Sequence, residues 1–197
     1  MSKEKRQIEK KDLMPANVYT ESRKQIRKDL VEFKKNRRIA LGPYATFYFE
    51  SFETMVAQIQ EMLHIEKGGD EQIADELEAY NPLIPKGNEL IATMMIEIDD
   101  PGRRDKVLRQ LGGVENTITI AIGDDVIQAV TENDVERTKS DGKTSSIHFL
   151  HFPLSAEQID SFKTTSTKTV LGFGHEHYAH MAVIPDAARS SLIGDLD

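Results

Sequence analysis

The segment His175-Glu-His-Tyr-Ala-His180 places three imidazoles within six residues. Neutral imidazole is the commonest transition-metal ligand, and residues two apart on a strand point the same way. Tyr178 and His180 would then share a face with Ala182 and Ile184, while His175 and His177 sit in the preceding connection. His148 shares its expected strand face with Leu150 and Phe152, so it points inward, where an imidazole needs a partner. A single iron or zinc ion is one chemistry that fits these donors. The structural alternative is equally open: a histidine-rich surface turn needs no metal, and His148 can be a core residue bonded to backbone.

Other motifs are weaker. Glu61-Met-Leu-His64 is half of a di-iron bundle signature, which needs two copies and two further helical carboxylates. Only one copy is present, and both residues lie off the apolar stripe of their helix. Glu61 alone could still reach the histidines across the sheet. Gly142-Lys-Thr-Ser145 resembles the end of a phosphate loop, but position 137 is Arg and a strand follows. Gly172-Phe-Gly174 is half of a dinucleotide fingerprint and is read as a turn. No nucleotide or flavin signature and no activated nucleophile is found. Tyr80-Asn-Pro-Leu-Ile-Pro85 is a rigid loop that suits a binding edge or plain structure.

The elements that must position these residues follow from pattern. Thr20 caps a helix carrying Ile26, Leu30 and Phe33 on one face, ending in Lys34, Lys35, Arg37 and Arg38. Gly42-Pro43 breaks the chain, and Tyr44 to Phe49 is an aromatic strand. Helices follow from Ser51 to about Lys67, from Asp70 to before Pro82, and from Asp100-Pro101 to Gly112. Leu90 to Ile98 is a buried strand. Thr117 to Ile122, the turn Gly123-Asp124 and Val126 to Thr131 make a hairpin, hence an antiparallel pair. Residues 132–145 are polar and loop-like. Ser146 to Phe152, Thr169 to Phe173 and Tyr178 to Ile184 are strands, with helices after Ser155 and Pro185. Residues 13–197 are therefore expected to form a single α+β domain, mainly antiparallel sheet with several packed helices, after a flexible tail over 1–12.

Composition narrows the function classes. The 197 residues include no cysteine, which removes thiol catalysis, thiolate zinc and protein-ligated iron–sulfur clusters. There is neither a signal-peptide pattern nor an apolar run of about 20 residues, so the expected location is the cytoplasm, with no membrane partner. Residues 1–38 carry 13 Lys/Arg and 6 Asp/Glu, net +7; the remaining 12 and 27 give −15, and the sum is the chain's −8. The acidic remainder and the lack of interleaved aromatics argue against nucleic acid. The basic stretch either lies on its own acidic body or docks on an acidic partner.

Several motifs occur together in order: Leu41-Gly-Pro43 with Phe49-Glu50, Gln58-Ile-Gln-Glu-Met-Leu63 with Glu66, and Glu78-Ala-Tyr-Asn-Pro-Leu-Ile-Pro85. Ala92-Thr93, Lys143-Thr-Ser-Ser-Ile-His-Phe-Leu150 and His175 to His180 complete the set. With them the chain resembles domain-of-unknown-function family 3501, a bacterial family, from about residue 12 to the C-terminus. The resemblance implies genes beside rubrerythrin-like and iron–sulfur redox proteins, and hence an accessory role in iron or peroxide metabolism. It carries over Glu61, Glu66, His148, His175, Tyr178 and His180, and sets aside His64, His151 and His177. His148, His175 and His180 with Glu61 would then be ligands of one iron or zinc ion, with Tyr178 behind them. The competing expectation is a non-enzymatic module that docks on a redox protein through its basic N-terminal helix. A third is a metal-free small-molecule enzyme, its pocket lined by the 80–85 loop and the histidine strand. A homo-oligomer is compatible with all three.

Overall fold

A computed structural model describes residues 6–131, 138 and 142–197. Among the described residues, six α-helices and two antiparallel sheets make one α+β fold. The first sheet comprises β1 (Arg38–Leu41), β2 (Ala45–Phe49), β3 (Glu89–Ile96), β6 (Val130–Thr131) and β7 (Ile147–Pro153), in the order β1-β2-β3-β7-β6. The second comprises β4 (Ile118–Ile122), β5 (Asp125–Gln128), β8 (Thr169–His175) and β9 (Tyr178–Val183), in the order β5-β4-β8-β9. Strict alternation turns Ile118, Ile120 and Ile122 inward and Thr119 and Ala121 outward. Phe47, Met94, Leu150 and Phe152 of the first sheet share one core with these isoleucines and with Leu171 and Phe173. Only Ala129 separates β5 from β6, so one stretch of chain passes between the sheets on that side. The hairpin expected at Gly123-Asp124 is present, with Ile122 opposite Asp125.

The outer face of the first sheet is covered by helices. α2 (Phe52–Glu66) is capped by Ser51, whose hydroxyl accepts from the Thr54 amide while Thr54 returns a bond. Met55 and Ile59 pack on Ile91 and Phe149, joined by Leu77 and Tyr80 around α3 (Gly69–Tyr80). α1 (Ala16–Lys35) lies over α2 and buries only Tyr19. It begins four residues before the expected cap, because Pro15 suits a helix start and Thr20 instead bonds back to the Ala16 carbonyl at 2.7 Å. α4 (Pro101–Gln110), α5 (Ala156–Lys163) and α6 (Asp186–Leu192) follow where expected. Among the described residues no helix is long and apolar enough to cross a membrane.

Three expectations shift. Residues 6–12 are not a solvated tail: Ile8 is buried, and the Asn81 side chain holds its amide at 2.7 Å and its carbonyl at 3.1 Å. The Tyr80–Pro85 stretch thus anchors the N-terminal segment, with Arg6 bonded to the Pro85 carbonyl. Gly172-Phe-Gly174 is a stretch of β8 and not a turn, since Phe173 pairs with the core. Of the loop read over 132–145, residues 132–137 and 139–141 lie outside the described residues.

Arg37 also departs from its expected role at an exposed helix end. It is 2% exposed, and its guanidinium donates to the carbonyls of Phe49, Glu50 and Ser191 and pairs with Asp195. Burial pushes the Asp195 carboxyl up, and the Arg37 charge opposes that shift. Arg37→Ala would strip these acceptors at once and should destabilise the fold by about 3–5 kcal/mol, read by urea denaturation.

Candidate functional site

His148 lies on β7 and is fully buried with Leu150 and Phe152. Its Nε2 is 2.9 Å from the Ser145 carbonyl and 3.3 Å from the Thr144 hydroxyl. A carbonyl can only accept, so this contact calls for a proton on Nε2, which leaves the ring's lone pair on Nδ1. His175 ends β8 in the other sheet. Its Nε2 faces the Gly112 carbonyl at 3.3 Å and its Nδ1 accepts from the His177 amide at 3.2 Å, so both nitrogens are engaged. His180, on β9, stands edge-on to Tyr178 with ring centroids 4.6 Å apart. Both rings press on Gly42, whose φ of +70° needs glycine and whose added Cβ would meet His180 at 2.6 Å.

Tyr178 closes the two sheets on the side away from Ala129. Its hydroxyl donates to the Leu41 carbonyl at 2.8 Å and accepts from the Tyr44 and Ala45 amides at 3.0 Å each. One donor and two acceptor positions are thereby used, which leaves no proton for chemistry. Burial pushes this phenol up.

Glu61 is in the helical layer. It accepts from Arg23 Nε and Nη2 at 2.8 and 2.7 Å and from the Tyr19 hydroxyl at 2.6 Å. The Arg23 fork holds the carboxyl down at about 2, while burial and the Glu61 bond push Tyr19 up to about 12. General acid–base work favours a pKa near the working pH, and these two are driven apart from it. The trio clamps α1 to α2. Beside it a cleft of about 690 Å³ opens between α1, α2 and α3, bordered by Leu13, Met14, Leu63, His64 and Ile73.

The four expected ligands are therefore not brought together. Among the described residues, no three His, Asp or Glu side chains form a group that could hold a metal ion. A His₃-carboxylate centre does not fit the donors as placed. Sequence reasoning missed Tyr19 and Arg23 as partners of Glu61, although Tyr19 stands one turn before Arg23 and two before Ile26 on the inner face of α1.

The outer face of α1 is different. Lys24, Lys28, Val31 and Lys35 recur at helical spacing opposite Tyr19, Ile26, Leu30 and Phe33, with Arg27 and Lys34 on one flank. Among the described residues, Lys24, Arg27, Lys28 and Lys34 make no ion pair, and Lys35 pairs only with Glu32 of its own helix. Val31, in their midst, is 64% exposed.

Fold and surface define a two-sheet antiparallel α+β protein with a helical layer on one side and a basic helix outermost. The chain belongs to the family described as Protein of unknown function (DUF3501), whose model matches residues 7–196. It is similar to a solved structure described as a novel protein of unknown function from Burkholderia pseudomallei K96243. The two are 34% identical over 96% of this chain and 99% of that one, with a TM-score of 0.89. Comparison with curated proteins gives no significant match.

Three outcomes are expected. Natively purified protein should contain iron and zinc well below one per chain by plasma mass spectrometry. His148→Ala should lose about 1–3 kcal/mol of stability with no change in metal content. Glu61→Gln should cost about 1–2 kcal/mol at pH 7 in urea denaturation. The folded carboxyl lies below its ordinary 4.5, so its contribution is complete above pH 4.5 and fades as pH falls towards 2. The gap between wild type and variant should close over that window.

Proposed function

We propose that this chain is a non-enzymatic accessory module that docks, through α1, on an acidic face of a redox protein of the rubrerythrin-like or iron–sulfur kind. One observation carries the reading: Lys24 and Lys28, on the outward face of α1, make no ion pair among the described residues. Exposed cations on a helix that buries one residue add little to folding, yet they attract an opposite charge over a Debye length of about 10 Å. Val31 gives the strip an apolar centre, as a protein contact uses. The remaining −15 of the chain repels a nucleic-acid backbone. The redox character of the partner rests on the family resemblance, and the sign of its docking face rests on the helix.

The test is titration of a purified rubrerythrin-like protein from the same source against the full chain. Lys24→Glu and Lys28→Glu together should weaken binding about tenfold and leave the thermal midpoint unchanged. Raising salt should do the same to the wild type. Affinity that ignores both reversal and salt, or no binding by the wild type, would remove this reading.

A further inference from the structure

The cleft between α1, α2 and α3 combines fixed walls with unmatched groups at the C-terminal end of α2. At about 690 Å³ it falls within the roughly 300–1,000 Å³ of small-molecule sites. Its apolar walls include Leu13, Met14, Leu63 and Ile73. Met14 is 45% exposed, and neither it nor the half-buried Ile73 packs into either hydrophobic core of the described residues. The polar side chains of the lining are mostly satisfied by their own neighbours. The Gln60 amide bonds the Met14 backbone amide at 2.6 Å and its carbonyl at 3.5 Å. The Tyr19 hydroxyl is bound to Glu61, and Lys10 pairs with Asp70 at 2.9 Å. Thr20 donates its one hydroxyl proton to the Ala16 carbonyl, so towards His64 Nδ1, 3.3 Å away, it can only accept. Two side-chain nitrogens of the lining are left without a partner among the described residues: His64 Nε2 and Lys67 Nζ.

We propose that this cleft binds a small amphipathic carboxylate, an acyl chain with a single acidic head. The unmatched nitrogens select the head. His64 and Lys67 stand three residues apart at the end of α2, the spacing of neighbours on a helix surface. Lys67 supplies the charge. His64 Nε2 either accepts the proton of a carboxylic acid or, once protonated, donates to a carboxylate. Two nitrogens match the two oxygens of a carboxyl group, whereas a phosphate brings three acceptor oxygens and a larger charge. The charge of the lining agrees: Lys10 and Lys67 against Asp70 leave a net +1, the complement of one monoanion, in a chain of net −8. The walls select the body, since Leu13, Met14, Leu63 and Ile73 offer no hydrogen bond and favour apolar surface by about 25 cal/mol for each Å² withdrawn from water. Lys67 also has a φ of +56° and is the one left-handed non-glycine residue among the described residues. A backbone position that suits glycine carries an ammonium instead, at the rim of the cleft. Neither Lys24 nor Lys28 lines the cleft, so this site is independent of the docking reading above.

Isothermal titration calorimetry of the full chain with decanoate, kept below its micelle concentration, tests this. The wild type should bind one decanoate per chain in the micromolar range. Lys67→Gly removes the ammonium and suits the left-handed backbone, so it should weaken binding about fivefold to tenfold with an unchanged or raised thermal midpoint. Ile73→Asp should weaken it at least tenfold while circular dichroism stays unchanged. Decanol, which has the chain without the charge, should bind more weakly than decanoate. Lys28→Glu, on the docking strip, should leave decanoate binding alone. No saturable binding by the wild type, decanol or decyl phosphate binding as tightly as decanoate, or indifference to both cleft variants overturns the proposal.

Discussion

A guanidinium taken out of water has to find an acceptor for every donor it brings, and Arg37 is where this chain meets that demand. Its acceptors come from the end of β2, the residue before the α2 cap, and the C-terminal turn at Ser191 and Asp195. Two segments far apart in sequence, residues 49–50 and 191–195, are thereby fixed around one side chain. Directly beyond it, the Glu50 carboxylate accepts from the hydroxyls of Thr54 and Thr93, which ties the cap of α2 to β3. The helical layer is thus joined to the first sheet by polar bonds as well as by Met55 and Ile59. The apolar contacts alone would allow α2 to slide, because hydrophobic burial has no direction.

The same requirement explains the residues that look most like chemistry in the sequence. His148, His175 and Tyr178 are polar groups at buried or half-buried strand positions, and each is engaged by backbone groups of a neighbouring segment. Glu61 is engaged by Arg23 and Tyr19. Clustering along the chain did not translate into clustering in space. His175 and His180 are in one sheet, His148 is in the other, and Glu61 belongs to a helix on the outside. What those residues contribute is closure: Tyr178 seals the sheets on one side as the β5–β6 passage does on the other.

Legibility followed the range of the interaction. Ser51, Asp100 and Ser155 act within three residues, so the helices they cap were readable from spacing alone. The Gly123-Asp124 hairpin and the alternation of β4 were readable for the same reason. Arg37 was not, since four basic residues within a stretch of five give no sign of which one turns inward, and its decisive partner is 158 positions away. Ile8 is buried because Asn81 holds its backbone, a contact that a charged N-terminal sequence conceals. The strand β1 escaped notice because four residues before Gly42-Pro43 show too little alternation to register.

Surface chemistry is then what remains after the fold has used what it needs. The fold consumes Arg23 and Arg37 but leaves Lys24 and Lys28 of α1 in water, and among the described residues it roofs one sheet with helices while Val126, Met181 and Val183 of the other stay exposed. Both leftovers are unfavourable for a solitary protein. A basic strip adds nothing to a core, and a row of Val and Met in water forgoes burial worth about 25 cal/mol for each Å². They lie on opposite sides of the molecule, one basic and one neutral, so a single partner surface cannot satisfy both. Their chemistry therefore makes them two different kinds of surface.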